Sequence, residues 1–325
     1  MNKNDRIFLT GHTGLLGSAF YNFFKKNKYK NIITASKKKL DLTNKNKLEN
    51  FFKKNRIDVV IICAARVGGI MDNFKNPWDF IYINTAIQLN ILSLLKKYKI
   101  KKTLIFGSSC IYPKIASIPI KENSLMSGHL EKTNEAYAIS KITGLKLAEY
   151  LIKQHKIDIR SVMPCSLYGP NDHYFASEKS HFIPAMIHKI YTAKINNKKT
   201  FEVWGSGKAL REFLYVSDFV KISIKLMSIS KKKYLKNIED EYFYNLGSSQ
   251  SYTIVEIVKM ICKIIGYNGK IIFNKNYPDG TMDKTMSSKK IKKILKFNLL
   301  DFYEGLKLTY SDYLEQYNKK NFSRK

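Results

Sequence analysis

Ile7-Phe8-Leu9-Thr10-Gly11-His12-Thr13-Gly14-Leu15-Leu16-Gly17 sets a short apolar run, a glycine-rich turn and the start of an amphipathic stretch in direct succession. The apolar run reads as a buried strand, and Phe20, Phe23 and Phe24 continue at helical spacing. Between them the glycines fall in a G-x-x-G-x-x-G pattern. Such glycines let the backbone turn tightly and approach a pyrophosphate, which then rests on the free N–H groups of the helix. The arrangement predicts a dinucleotide site contacted by Gly11, Thr13, Gly14, Leu15, Leu16 and Gly17. A plain glycine turn with no ligand is the competing reading.

Working outward, residues 31–35, 59–63, 103–106 and 158–162 read as strands, and 48–54, 86–98 and 137–153 as helices. Strands alternating with helices predict an α/β fold, a Rossmann-like doubly wound parallel sheet covered on both faces. Past Pro164 the rhythm breaks at Gly169-Pro170, Pro184, Gly205 to Gly207 and Pro278-Asp279-Gly280. A smaller α/β substrate-binding lobe is expected there. The expected division is 1–164 for the nucleotide-binding domain, with a returning segment at about 212–247, and 165–211 with 248–325 for the lobe. Residues 231–236 read as a charged loop, and the tail from 318 as frayed.

The chain of 325 residues carries 57 Lys+Arg against 26 Asp+Glu, a formal net charge of +31. With 44% hydrophobic and 13% aromatic residues it holds ample material for a core, which excludes a disordered polyelectrolyte. The lysines are spread along the chain (25–26, 37–39, 101–102, 231–233) rather than gathered in one stripe, so no nucleic-acid partner is expected. The cationic field instead favours encounter with a small anion. No apolar run approaches the roughly 20 residues that span a bilayer. The N-terminus lacks the pattern of a secretory signal, so a cytoplasmic protein with no membrane partner is expected. Cys63, Cys110, Cys165 and Cys262 are scattered without CxxC spacing, so neither a disulfide framework nor a metal site is expected.

The end of the second strand bears on the cofactor. NAD-specific sites place an acid there for the ribose 2′-hydroxyl. Here the chain reads Ala35-Ser36-Lys37-Lys38-Lys39, with no acid before Asp41. A hydroxyl and cations suit a 2′-phosphate, so NADPH is expected, held by Lys37 with Ser36 in support.

Ser108 follows the strand at 103–106, and Tyr137 and Lys141 lie at i and i+4 on one helical face. Hydride reduction of a ketone builds charge on oxygen and needs a proton there. A phenol is a weak acid at neutral pH, and a cation one turn away is expected to lower its pKa while a serine hydroxyl holds the carbonyl oxygen. A packing tyrosine beside a surface lysine is the ordinary alternative for this spacing alone.

Gly11 to Gly17, Ser108 and Tyr137-x-x-x-Lys141 together resemble the extended short-chain dehydrogenase/reductases. Gly107 to Pro113 (GSSCIYP), 64–70, 133–141, Trp204-Gly205-Ser206-Gly207 and Arg211-Glu212-Phe213-Leu214 narrow the resemblance to the GDP-L-fucose synthase subfamily, over about residues 7–313. That resemblance implies an NADPH-dependent reductase of a GDP-linked 4-keto sugar, with Ser108, Tyr137 and Lys141 as the reductive triad. It implies Cys110 and His181 as acid/base groups for C3/C5 epimerisation; the residues alone favour a small buried hydrophobe and a hydrogen-bonded loop histidine. It extends the cofactor contacts to Asp41, Leu42, Ala64, Ala65 and Pro164. It places Ser109, Ser166, His181, Lys189, Trp204, Arg211 and Lys284 against the substrate, and implies a homodimer through the helices at 86–98 and 137–153.

Two departures touch the substrate. Cys165-Ser166 stands where relatives carry Thr-Asn, and the stretch 171–180 is one residue longer. A smaller Ser166 makes room for a heptose as well as a 6-deoxyhexose. Three functions therefore stand open: reduction with or without C3/C5 epimerisation, C4 reduction alone on a GDP-heptose, and a non-catalytic NADP sensor.

Overall fold

The computed structural model describes residues 1–175, 180–277 and 279–322, apart from the side chains of Ile70, Asn321 and Phe322. Pro278, residues 176–179 of the lengthened stretch and 323–325 of the tail lie outside the described residues.

The first half runs β1 (Arg6–Thr10), α1 (Leu15–Lys26), β2 (Asn31–Ile33), α2 (Lys45–Lys54), β3 (Val59–Ile62), α3 (Ile70–Lys75), α4 (Pro77–Leu94), β4 (Lys102–Phe106), α5 (Glu135–His155) and β5 (Ile159–Pro164). The second half adds β6 (Ser166–Tyr168), α6 (Phe182–Ile195), β7 (Thr200–Trp204), β8 (Leu210–Tyr215), α7 (Val216–Ser228), α8 (Lys231–Leu235), β9 (Tyr244–Leu246), β10 (Ser251–Thr253), α9 (Ile254–Ile265), β11 (Lys270–Asn274), α10 (Lys289–Lys292) and α11 (Phe302–Phe322). Six strands form one parallel sheet in the order β2-β1-β3-β4-β5-β9. Its middle strands are apolar on both faces: every residue of β3 is buried, as helices covering both sides require. This is the Rossmann-like parallel sheet expected from the alternation.

Strand order reverses between β1 and β3, and the crevice at their C-terminal ends is where such folds bind ligands. A smaller three-stranded sheet, β10-β8-β6, and a two-stranded one, β11-β7, lie beyond it. The large core joins Ile7, Leu9, Phe20, Phe106, Val162 and Phe219; a separate core joins Tyr168, Ile183, Ile187, Phe201, Ile257 and Tyr313. The chain returns to the large sheet with α7, which packs on α1, and with β9, which pairs Tyr244 with Val162. β8, which spans residue 212, belongs to the small sheet. Met286, Ile291 and Leu295 also pack into the large core.

Several element boundaries differ from expectation. α4 begins at Pro77, whose fixed φ opens a helix, rather than at 86. Exposed Trp78 and Tyr82 interrupt the apolar stripe that would have revealed it. Residues 231–235 are helical because the Ser230 hydroxyl caps the Lys233 N–H at 3.1 Å. α11 continues to Phe322 rather than fraying from 318.

Candidate active site

The glycine turn is built as its spacing requires. Gly11 has φ +64°, and a Cβ there would lie 2.7 Å from the Ala64 nitrogen. A Cβ on Gly17 would lie 2.0 Å from the Gly11 carbonyl oxygen. The Thr10 hydroxyl accepts from the Ala64 N–H at 3.1 Å, pinning the start of the turn to the end of β3. Gly14 caps α1 without any side chain, and the first turn of that helix carries no acid. Thr13, Leu15 and Leu16 complete an N-terminus open to an anion.

β2 ends at Ile33, and both Ser36 and Lys37 follow it on the exposed surface. Asp41 is turned inward: its Oδ1 accepts from the Thr43 N–H at 3.0 Å and hydroxyl at 2.8 Å. Those bonds, with a smaller contribution from Lys37, hold its carboxyl below the usual range. Leu42 packs against the core beside this turn, and half-buried Ala64 and Ala65 follow β3. Pro164 closes β5 opposite Leu246.

Beyond β4 a single 3-10 turn, Ser109–Ile111, starts with the Ser108 hydroxyl accepting from the Cys110 N–H at 3.4 Å. Tyr137, on the first turn of α5, keeps part of its ring open while packing edge-on against Phe80 at 6.1 Å. Burial of its hydroxyl raises the phenol well above its ordinary value; Cys110 adds to this and Ser108 opposes it. The expectation that Lys141 brings this phenol down is therefore not met. The Lys141 ammonium lies 5.7 Å from the centre of the Tyr137 ring but donates to the Phe106 carbonyl at 3.2 Å. Lys141 is only 7% exposed, and burial lowers it to about 8, with nearby Cys63 opposing. Desolvation is the largest influence on both groups.

Cys110 sits between chemistry from both lobes, since Tyr137 and Arg211 each feel its charge. Its Sγ accepts from the Asn134 Nδ2 at 3.3 Å. His181 stands at the N-cap position of α6, exposed and with no side-chain cap bond. Its charge opposes the rise that burial imposes on Asp172, an acid 4% exposed whose Oδ2 has no hydrogen-bond partner among the described residues. Ser109 is half-buried and Ser166 exposed.

The remaining candidates lie on the small lobe. Lys189, on α6, is lowered by burial, with Glu202 on β7 opposing. Trp204 is 54% exposed and stacks one face on Tyr277 at 4.2 Å, leaving the other open. Arg211 is more committed than its exposed-fork chemistry suggested. Nη1 donates to the Leu210 and Thr281 carbonyls at 2.7 and 2.8 Å, and Nη2 to the Asp279 carbonyl at 2.9 Å. Lys284 is half-buried in the same connection.

Ser108, Cys110, Tyr137 and Lys141 thus converge where β4 meets α5, with Arg211 of β8 near enough to interact electrostatically with Cys110. Ser36 and Lys37 stand on the surface after β2, apart from this cluster. Sequence reasoning gave no role to Asn134 or Asp172. Their signal was weak: an Asn before a helix reads as a cap, and an acid in a loop as a solvated charge.

Residues 7–239 match the NAD dependent epimerase/dehydratase family. The chain belongs to that family. It is 38% identical to the GDP-L-fucose synthase of Escherichia coli K12 over 318 residues, covering 98% of this chain and 99% of that one. Among solved structures it is similar to a GDP-6-OMe-4-keto-L-xylo-heptose reductase from C. jejuni, with TM-score 0.92, 29% identity and coverage of 97% and 99% of the two chains. It is likewise similar to a GDP-L-fucose synthetase from Naegleria fowleri bound to NADP, with TM-score 0.87, 29% identity and coverage of 98% and 95%. This family membership accounts for a large sheet with a glycine turn at its switch point and a Tyr-x-x-x-Lys pair on the neighbouring helix.

Proposed function

We propose that this chain is an NADPH-dependent reductase acting on C4 of a GDP-linked 4-keto sugar, a 6-deoxyhexose or a heptose, with Cys110 and His181 serving C3/C5 epimerisation. One observation carries the reading: Ser108, Tyr137, Lys141 and Cys110 meet at the end of β4 beside a turn whose Gly11 and Gly17 admit no Cβ. The cradle and the uncapped α1 N-terminus fit a dinucleotide pyrophosphate, and Ser36 with Lys37 fits a 2′-phosphate. When bound, NADPH supplies the hydride.

The chain's own groups manage the proton. Tyr137, kept protonated by burial, donates to the forming C4 alkoxide, and Ser108 holds that oxygen. The Lys141 ammonium steadies the phenolate left behind. Cys110 and His181 remove and return protons at carbons flanking the ketone. Ser109, Ser166, Lys189, Trp204 and Lys284 line the GDP-sugar, and Arg211 fixes the 279–281 connection against it. The two separate cores support division into a nucleotide-binding domain and a substrate lobe.

A homodimer through α4 and α5 is supported by exposed Trp78, Tyr82, Leu89, Ile139 and Tyr150 on those helices. Among the described residues no helix is long and apolar enough to cross a membrane; we assign the protein to the cytoplasm, with no nucleic-acid partner.

Tyr137→Phe tests the reading. It is expected to lower kcat for NADPH oxidation by about a hundredfold or more while NADPH binding persists. Full turnover by the variant would refute it.

A further inference from the structure

We infer that Asn134 is a positioning residue for Cys110: its side-chain amide holds the sulphur and fixes the direction from which it takes a proton. The inference rests on the acid/base role of Cys110 proposed above.

Asn134 occupies the N-cap of α5, a position where an Asn side chain ordinarily accepts from the second or third helical N–H. Here it makes no such bond. A 3-10 turn over Lys132–Asn134 leads straight into α5, and the backbone of Asn134 (φ −137°, ψ 19°) lies outside the usual capping region. The amide turns to Cys110 instead, with Nδ2 3.3 Å from Sγ. Its Oδ1 is buried with no partner among the described residues. The side chain therefore forgoes a cap worth about 1 kcal/mol and leaves an acceptor unsatisfied, a poor arrangement for stability alone. Local rules broken without a structural gain mark functional positions.

The sulphur held this way faces reacting groups, because Tyr137 and Arg211 both feel its charge. An N–H donor aimed at sulphur fixes the direction from which it attacks. In the epimerase step the thiolate takes a proton from the carbon beside the ketone, and the electron pair moves into the enolate. The proton returned to the opposite face comes from the other acid/base group.

Asn134→Asp separates this role from helix capping. Aspartate has the same shape, caps helices as well as asparagine and suits the positive end of α5, so folding is expected to hold. It cannot donate to sulphur, and its charge opposes a thiolate. Alkylation of Cys110 by iodoacetamide, followed by peptide mass spectrometry at pH 8, is expected to slow about tenfold or more, with unchanged melting temperature and NADPH binding. With GDP-4-keto-6-deoxymannose in deuterated water, label uptake at C3 or C5 is expected to fall by a similar factor. Should Asn134→Asp fail to fold, Asn134→Ser, which keeps a capping hydroxyl but stops short of the sulphur, is read the same way. Alkylation at the wild-type rate in a folded variant would overturn the inference. Wild-type protein that takes up no label fails the epimerase reading alone, since the alkylation arm still reads the Asn134–Cys110 contact.

Discussion

Lys141 shows how burial reshapes a residue whose spacing is obvious in the sequence. Closed off from water and bonded to the Phe106 carbonyl, its ammonium is lowered to about 8. Below that pH the group is a cation able to steady the Tyr137 phenolate; above it the charge is lost. The kcat profile for NADPH oxidation is therefore expected to fall on its alkaline side with a midpoint near pH 8. A profile flat to pH 10 would show that Lys141 stays charged through turnover. Tyr137 titrates far higher, because burial and Cys110 push the phenol the same way. It remains a loaded proton donor across the working range.

Among the elements, the turn between β1 and α1 tolerates least. The Gly17 position faces the Gly11 carbonyl so closely that a methyl group would lie 2.0 Å from it, against backbone that has no flexible end to move. Gly17→Ala is expected to cost about 3 kcal/mol and to abolish NADPH binding, read by thermal unfolding and by quenching of protein fluorescence. Retained affinity would place the pyrophosphate elsewhere. α1 and α5 were legible because their signals are local: a three-residue glycine rhythm, and a Tyr and Lys one turn apart. α8 was not, since its Ser230 cap is brief and three adjacent lysines look like solvated loop. The turn at 109–111 was readable as a motif, whereas the Asn134 amide on its cysteine spans 24 residues and leaves no periodic trace.

For the molecule as a whole, α4 and α5 both leave apolar side chains outside the two cores. Ile139 and Tyr150 are 39% and 58% exposed, and they border an apolar groove with Met126, Leu130 and Leu147. Tyr150→Glu combined with Ile139→Glu is expected to give a monomer of 37.7 kDa by light scattering, and the unaltered chain, as the proposed homodimer, twice that mass. An unchanged mass would move the contact to another face.

The sequence by itself determined the Rossmann-like sheet, the glycine turn after β1 and the placing of Tyr137 and Lys141 on one helix near Ser108. Each depends on spacing within one strand, turn or helix, where backbone geometry fixes direction. Only the tertiary structure decided that β9 closes the sheet beside β5, that Arg211 is spent on the 279–281 carbonyls, and that Cys63 faces Lys141. It also decided the sign of the shift at Tyr137. Those outcomes depend on which distant segments exclude water from which groups, and desolvation is a property of packing that no local spacing encodes.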